Sequence, residues 1–168
     1  MKIRKDYVDL VVKGLKESGT EYIPFLPDGK MRDLYPVLAS DSYFKLIEVA
    51  HEGDGVSIAA GLWLGGKKSA LVMTNAGLRI SIEQLSRFGF THNVPVVMLM
   101  AYTGDVGEQQ WWAVPHGYTT EELLKALQIP YIIVRSKDQI VDTIKKAQVH
   151  ASVSQFHVAV LLSPDILK

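Results

Sequence analysis

The chemistry of this chain gathers around one carboxylate. Glu52 stands in His51-Glu52-Gly53-Asp54-Gly55-Val56-Ser57-Ile58-Ala59-Ala60-Gly61, directly behind a strand-like run from Tyr43 to Ala50. After Glu52 the side chains shrink to Gly, Val, Ser, Ile and Ala, as a helix needs when it must sit tightly against a sheet or a second subunit. The free N–H groups of a helix's first turn favour an ionised carboxylate, whereas apolar walls favour the neutral acid. A carboxyl group at such a junction is therefore a candidate for proton transfer. The plainer reading is a charge that only complements the helix terminus. Asp54 offers a hard-cation ligand, but a lone one without oxygen-donor companions, so no metal site is assigned in this chain.

The elements that must position Glu52 alternate in type. Tyr7, Leu10, Val11, Gly14 and Leu15 fall on one face of an opening helix that Gly19 should end, and Tyr22 to Leu26 reads as the first strand. Met31, Leu34, Tyr35 and Leu38 recur at helical spacing before the strand from Phe44 to Val49, and the small-residue helix runs from Glu52 to Leu64, closed by Gly65-Gly66. Ser69–Thr74 and Pro95–Ala101 are apolar on both faces, as strands covered from both sides must be. A helix is expected between them over Ser81–Phe90, and after a long loop another over Thr120–Leu127. Tyr131–Val134 as a strand, Lys137–Ala151 as a helix and Val158–Leu162 as a last strand complete the series. This pattern predicts a single α/β domain over 1–168, an open, mainly parallel six-stranded sheet with helices on both faces.

In such sheets ligands collect beyond the carboxyl ends of the strands. Four loops leave those ends: Leu26-Pro27-Asp28-Gly29-Lys30, His51-Glu52, Thr74-Asn75-Ala76-Gly77-Leu78-Arg79, and Tyr102 to Tyr118. All are polar or glycine-bearing where a ligand would meet them, although Asn and Gly at a helix start also serve as simple capping chemistry.

Composition narrows the functional classes. Eighteen basic side chains balance eighteen acidic ones among 168 residues, with no local Lys/Arg cluster, so there is no electrostatic case for nucleic acid. The absence of cysteine excludes disulfide scaffolds, thiolate metal sites and cysteine nucleophiles. Asp9, Lys13, Lys16 and Glu17 interrupt the apolar positions behind the basic start, so a secretory leader is not expected. No apolar run approaches the roughly 18 residues of a membrane span. A cytoplasmic protein is the default expectation.

Glu52 with Val56-Ser57-Ile58-Ala59-Ala60-Gly61, then Gly65-Gly66-Lys67-Lys68 and a strand ending in Thr74-Asn75-Ala76-Gly77-Leu78, resembles the pyrimidine-binding domain of thiamine diphosphate-dependent decarboxylases. The likeness is greatest to sulfopyruvate decarboxylase alpha subunits and the amino-terminal half of phosphonopyruvate decarboxylases. It runs from Tyr22 to Leu162 and takes in Pro95–Ala101, Gly104-Asp105-Val106-Gly107-Glu108 and His116-Gly117. The resemblance implies that Glu52 hydrogen-bonds the cofactor's aminopyrimidine ring and promotes proton removal from the thiazolium C2. It places Asn75, Ala76 and Gly77 against the pyrimidine or the reacting centre and Leu78 near the thiazolium. His116, the only histidine of the fourth loop, becomes a proton donor or substrate contact, or else a surface residue.

The resemblance also implies a missing half. Related full-length enzymes hold the diphosphate through Mg2+ with a Gly-Asp-Gly motif in a second α/β unit, whereas Gly53-Asp54-Gly55 lies inside the Glu52 motif. A beta subunit carrying the Mg2+ and diphosphate is expected, in an α2β2 or larger assembly that acts on a small 2-oxo acid. Where the family usually continues with glycine and asparagine after Leu78, this chain has Arg79 and Ile80, which leaves the acid open among sulfonated, phosphonated and aromatic ones. Arg79 and Lys30 are candidate anion contacts, with solvated side chains as the alternative. Trp111 and Trp112 either wall a pocket for a larger acid or cover the partner subunit. A carboligase or synthase half, and a non-catalytic α/β binding or regulatory module, are the other readings.

Overall fold

The computed structural model describes residues 5–167. Six parallel strands form one sheet in the order β2-β1-β3-β4-β6-β5. They are β1 (Tyr22–Phe25), β2 (Lys45–Glu48), β3 (Leu71–Thr74), β4 (Val97–Ala101), β5 (Tyr131–Val134) and β6 (Val158–Leu162). The helices are α1 (Lys5–Glu17), α2 (Tyr35–Ser40), α3 (Glu52–Leu64), α4 (Ala76–Ile80), α5 (Ile82–Ser86), α6 (Val114–Ala126), α7 (Ile140–Ser154) and α8 (Pro164–Leu167). No described helix is long and apolar enough to cross a membrane.

The two-residue period of the strands divides the core into two layers. Val97, Leu99 and Ala101 of β4 and Val158, Val160 and Leu162 of β6 face one layer together with Tyr7, Val11 and Leu15 of α1 and Ile144 and Ala147 of α7. Met98, Met100, Ala159 and Leu161 face the other, with Val56, Ala59 and Ala60 of α3, Leu78 of α4, Leu85 of α5 and Leu124 of α6. β4 and β6 are apolar throughout because helices cover them on both sides.

Local chemistry explains the departures from periodicity. Pro24 has no N–H to give, so β1 meets β3 only at Phe25↔Val72 and an isolated bridge between Tyr22 and Ser69, while its ladder with β2 is continuous. The helix expected over Ser81–Phe90 begins as α5 at Ile82 and is set off from α4 at Ser81, whose Oγ donates 2.8 Å to the Gly77 carbonyl where the backbone turns. A π turn, Arg87–Thr91, follows. Of the helical spacing at Met31–Leu38 only Tyr35–Ser40 is α-helix, entered through Pro36 in its first turn. Lys137–Gln139 is a 3-10 turn with a Ser136/Gln139 capping box that leads into α7.

The largest correction concerns the fourth loop. Its helix begins at Val114 rather than Thr120, with Pro115 in the first turn, so His116 is a helical residue and not a loop residue. Gly104, at φ +84°, lies so close to Gly117 that a Cβ on either would run into the other's backbone, which pins the loop to the start of α6.

Candidate functional site

Glu52 is the first residue of α3, and His51 caps that helix with extended backbone while its Nδ1 accepts from Gly53 N–H at 3.1 Å. The Glu52 side chain is 9 % exposed and lies on the backbone of Gly77, where a Cβ would come within 2.7 Å of its Cδ and 2.8 Å of its Oε1. Two loops that the sequence separates by more than twenty residues therefore meet through a carboxylate and a glycine. The approach depends on small residues on both sides, since a Cβ at Gly55 would meet Leu71 Cδ1 at 2.6 Å and one at Gly53 would meet Gln84 Nε2 at 2.7 Å. Among the described residues the Glu52 carboxylate has no hydrogen-bond or ion-pair partner, although its oxygens are not sealed from solvent. Partly desolvated carboxylates normally find donors, and this one keeps its acceptor capacity free among the described residues.

Asn75 behaves differently. Its Nδ2 donates to the Thr103 carbonyl at 2.9 Å and to Thr120 Oγ1 at 2.8 Å, and its Oδ1 accepts from Thr103 N–H at 3.0 Å and Thr103 Oγ1 at 2.7 Å. Every polar position of the amide is taken, so the side chain ties the ends of β3 and β4 to α6 and has nothing left for a ligand. Leu78 is likewise fully buried in the core layer beneath α3, not presented at a surface. Within this chain both residues support the loop, while Ala76 and Gly77 lie on it beside Glu52.

A second group assembles from the remaining loops. Arg79 Nη2 lies 2.5 Å from His116 Nδ1, and the Trp112 ring stands edge-on to the imidazole with centroids 6.3 Å apart. A guanidinium only donates, so Nδ1 is the acceptor and the ring proton sits on Nε2. Burial lowers the His116 pKa from its ordinary value and the Arg79 charge adds to this, against the carboxylates of Asp28 and Glu108. Glu108 accepts from Gly104, Gln109 and Gln110 N–H groups at 3.0–3.2 Å and lies 3.8 Å from Lys30 Nζ. Burial works to raise that carboxyl, but the backbone donors and Lys30 outweigh it and hold it below the usual range. A cavity of about 240 Å³ opens here between Lys30, Tyr102, Thr103, Glu108 and Gln110. Trp111 is 84 % exposed, which makes it an outward side chain and not a pocket wall within this chain. Asp54 is exposed on the first turn of α3, and no group of three or more potential metal-ligating acids or histidines occurs among the described residues.

Thr103, Thr120 and Glu108 were not singled out by residue type. Thr103 lies in the polar stretch after β4, Glu108 in the Gly104–Glu108 segment of the family likeness and Thr120 at the expected start of the Thr120–Leu127 helix, but their bonding has no sequence signal, since threonine and glutamate side chains bonded to nearby backbone leave no periodic trace.

No family model matches the chain. It is 29 % identical over 154 residues to sulfopyruvate decarboxylase subunit alpha of Methanococcus maripaludis, covering 92 % of both chains. Its curated relatives include sulfopyruvate decarboxylase alpha subunits and phosphonopyruvate decarboxylases. The subunit of Methanothermobacter thermautotrophicus is 28 % identical over 134 residues, 80 % of this chain and 81 % of that one, so the likeness to these alpha subunits runs nearly end to end. Phosphonopyruvate decarboxylase of Streptomyces viridochromogenes is 27 % identical over 99 residues, which are 59 % of this chain but 25 % of that protein. In structure the chain matches 2-oxoglutarate:ferredoxin oxidoreductase from Magnetococcus marinus with a TM-score of 0.72 at 18 % identity, covering 96 % of this chain and 29 % of the larger one. That second likeness establishes the fold, and the alpha subunits supply the resemblance in sequence.

Proposed function

We propose that this chain is the pyrimidine-binding alpha subunit of a cytoplasmic thiamine diphosphate-dependent 2-oxo acid decarboxylase, active with a beta subunit that holds Mg2+ and the diphosphate. The observation that carries the proposal is the Glu52 carboxylate, 9 % exposed, seated on Gly77 at the start of α3 and without a partner among the described residues. Its free acceptor capacity fits a nitrogen heterocycle, which can supply the missing hydrogen bond. Thiamine diphosphate, when bound, supplies the carbon nucleophile and electron sink that loss of carbon dioxide from a 2-oxo acid requires. Glu52 then holds a proton against the ring nitrogen, and the free N–H groups of the first turn of α3 stabilise its carboxylate each time the proton leaves. Ala76 and Gly77 give the ring a flat approach, and Asn75 and Leu78 keep that loop rigid from behind.

The second group serves the substrate. His116 presents an N–H at Nε2 as proton donor, and Arg79 and Lys30 supply positive charge for the acid's anionic groups. A partner subunit, in the proposed α2β2 or larger assembly, is supported by the subunit names of the relatives and by outward apolar side chains. These include Ile80 at 50 %, Trp111 at 84 %, Trp112 at 52 % and Tyr118 at 75 % exposure.

The test is Glu52→Gln in the enzyme reconstituted with its beta subunit, read by exchange of the cofactor C2 proton for deuterium. Loss of a general acid–base group lowers a rate by about 10²–10⁴-fold. Exchange near the wild-type rate refutes the assigned role.

A further inference from the structure

We propose that Arg79 and His116 form a substrate-sensing pair: a tetrahedral oxyanion carried by the 2-oxo acid draws Arg79 off the imidazole, and His116 takes up a proton in exchange. The inference rests on the decarboxylase reading for the identity of the acid, but the exchange itself is a property of this chain.

Geometry makes the two contacts exclusive. With Arg79 Nη2 at 2.5 Å, His116 Nδ1 must be bare, because a protonated Nδ1 would set two donors against each other. Protonation of His116 therefore requires Arg79 to leave, and departure of Arg79 removes both the steric block and the nearest positive charge. Arg79 is free to go in one specific sense. No carboxylate lies within ion-pair distance of it among the described residues, in contrast to Lys30, which faces Glu108, and Arg135, which faces Asp105 at 2.6 Å. A guanidinium whose partner is a neutral nitrogen keeps its charge available, and a phosphonate or sulfonate satisfies the fork better than an imidazole does.

The groups around the ring fit this exchange. Arg79 approaches from α4, Asp28 and Lys30 belong to the β1–α2 loop, Glu108 to the segment before α6, and Trp112 covers one edge. Once Arg79 turns to an anion, the carboxylates of Asp28 and Glu108 remain as the charges that favour an imidazolium. The proton comes from solvent, one per anion bound, and enters at Nδ1. It leaves His116 charged, with Nε2–H available as a donor in the site. An acid without a second anionic group would leave Arg79 in place and the imidazole neutral. Arg79 is thus a positioning and specificity residue that acts through His116.

The experiment is NMR titration of the His116 ring in the full chain, without cofactor or beta subunit, so that its result is independent of any failure of the decarboxylase reading. Wild type is compared with Arg79→Met, each with and without methylphosphonate. In wild type the free chain should show the Nε2–H tautomer and a pKa below that of an ordinary histidine, and methylphosphonate should move the pKa upward. In Arg79→Met the pKa should already be higher, and methylphosphonate should leave it unchanged. A His116 pKa that ignores the substitution, or an anion response of equal size in both proteins, overturns the proposal. If Arg79→Met does not fold, the wild-type titration decides alone: absence of an upward shift with methylphosphonate overturns the proposal equally.

Discussion

The contact between Glu52 and Gly77 yields a prediction that needs neither cofactor nor partner. In Gly77→Ala the new Cβ would collide with Glu52 Cγ and stand 2.7 Å from Cδ and 2.8 Å from Oε1, whereas carbon atoms at rest lie about 3.5–4.0 Å apart. Glu52 must retreat by roughly 1 Å to restore ordinary contact. Overpacking of this kind costs about 1–3 kcal/mol. Against it stands the helical gain of alanine over glycine, about 1 kcal/mol at most, so the net effect is destabilising by about 0–2 kcal/mol. The decisive measurement is a double-mutant cycle in urea. Glu52→Ala removes Cγ, Cδ and the carboxylate, so Gly77→Ala in that background should be neutral or stabilising, and the coupling should reach about 1–3 kcal/mol. Equal costs in the two backgrounds would show that Glu52 does not rest on Gly77. In the reconstituted enzyme the same displacement should lower turnover by about 100-fold, the usual penalty for a 1 Å misplacement of a reacting group.

Two further predictions concern buried polar groups. Asn75→Ala strips partners from Thr103 N–H, Thr103 Oγ1 and Thr120 Oγ1 in a position 1 % exposed, so a loss of at least about 3 kcal/mol is expected by urea denaturation, and a loss below about 1 kcal/mol would contradict the bonding described. His157 is fully buried, its Nδ1 accepting from Val96 N–H and its Nε2 donating to the Leu85 carbonyl, each at 2.9 Å. Burial lowers its pKa, against the smaller opposing effect of the Leu85 carbonyl. The unfolded chain therefore binds this proton first: stability should be flat above the unfolded value of about 6.5 and fall below it, at up to about 1.4 kcal/mol per pH unit. His157→Gln should remove that slope, and an unchanged slope in the variant would assign the pH dependence elsewhere.

The core was readable in the sequence because its layers follow a period of two. Val97-Met98-Leu99-Met100-Ala101, a short apolar run entered through Pro95, fits a strand covered on both faces. Glu52 was readable for a related reason: a charge followed by Gly, Val, Ser and Ala marks a helix with close neighbours, and Gly77 supplies the other half of that closeness. The partner of Arg79 was not readable. It depends on the break at Ser81, which sets the direction of α4, and on the early start of α6, which converts His116 from a loop residue to one on a fixed helical face. Both follow from single side chains, a serine bonding backward to a carbonyl and a proline tolerated in a first turn, and neither changes the hydrophobic period from which helices are read. The saturation of Asn75 was equally hidden, since its partners Thr103 and Thr120 lie on other elements and become neighbours only when the sheet is formed.

The buried polar side chains at the carboxyl ends of the strands thus divide by how completely they are satisfied. Asn75 uses all four of its bonds and Glu108 accepts from three backbone amides, which makes the loops around β3 and β4 stiff. Among the described residues Glu52 has no hydrogen bond or ion pair, and Arg79 has only a neutral nitrogen. A fold gains nothing in stability from leaving a half-desolvated carboxylate unpaired, since burial without a donor is a cost. Such a cost is borne where a ligand supplies the donor, and rigid surroundings are what keep the group from finding a partner of its own. On the proposed reading, the stiff Asn75 network and the unpartnered Glu52 carboxylate are two parts of one arrangement: the first holds Gly77 in place, and Gly77 holds the carboxylate toward the proposed cofactor ring.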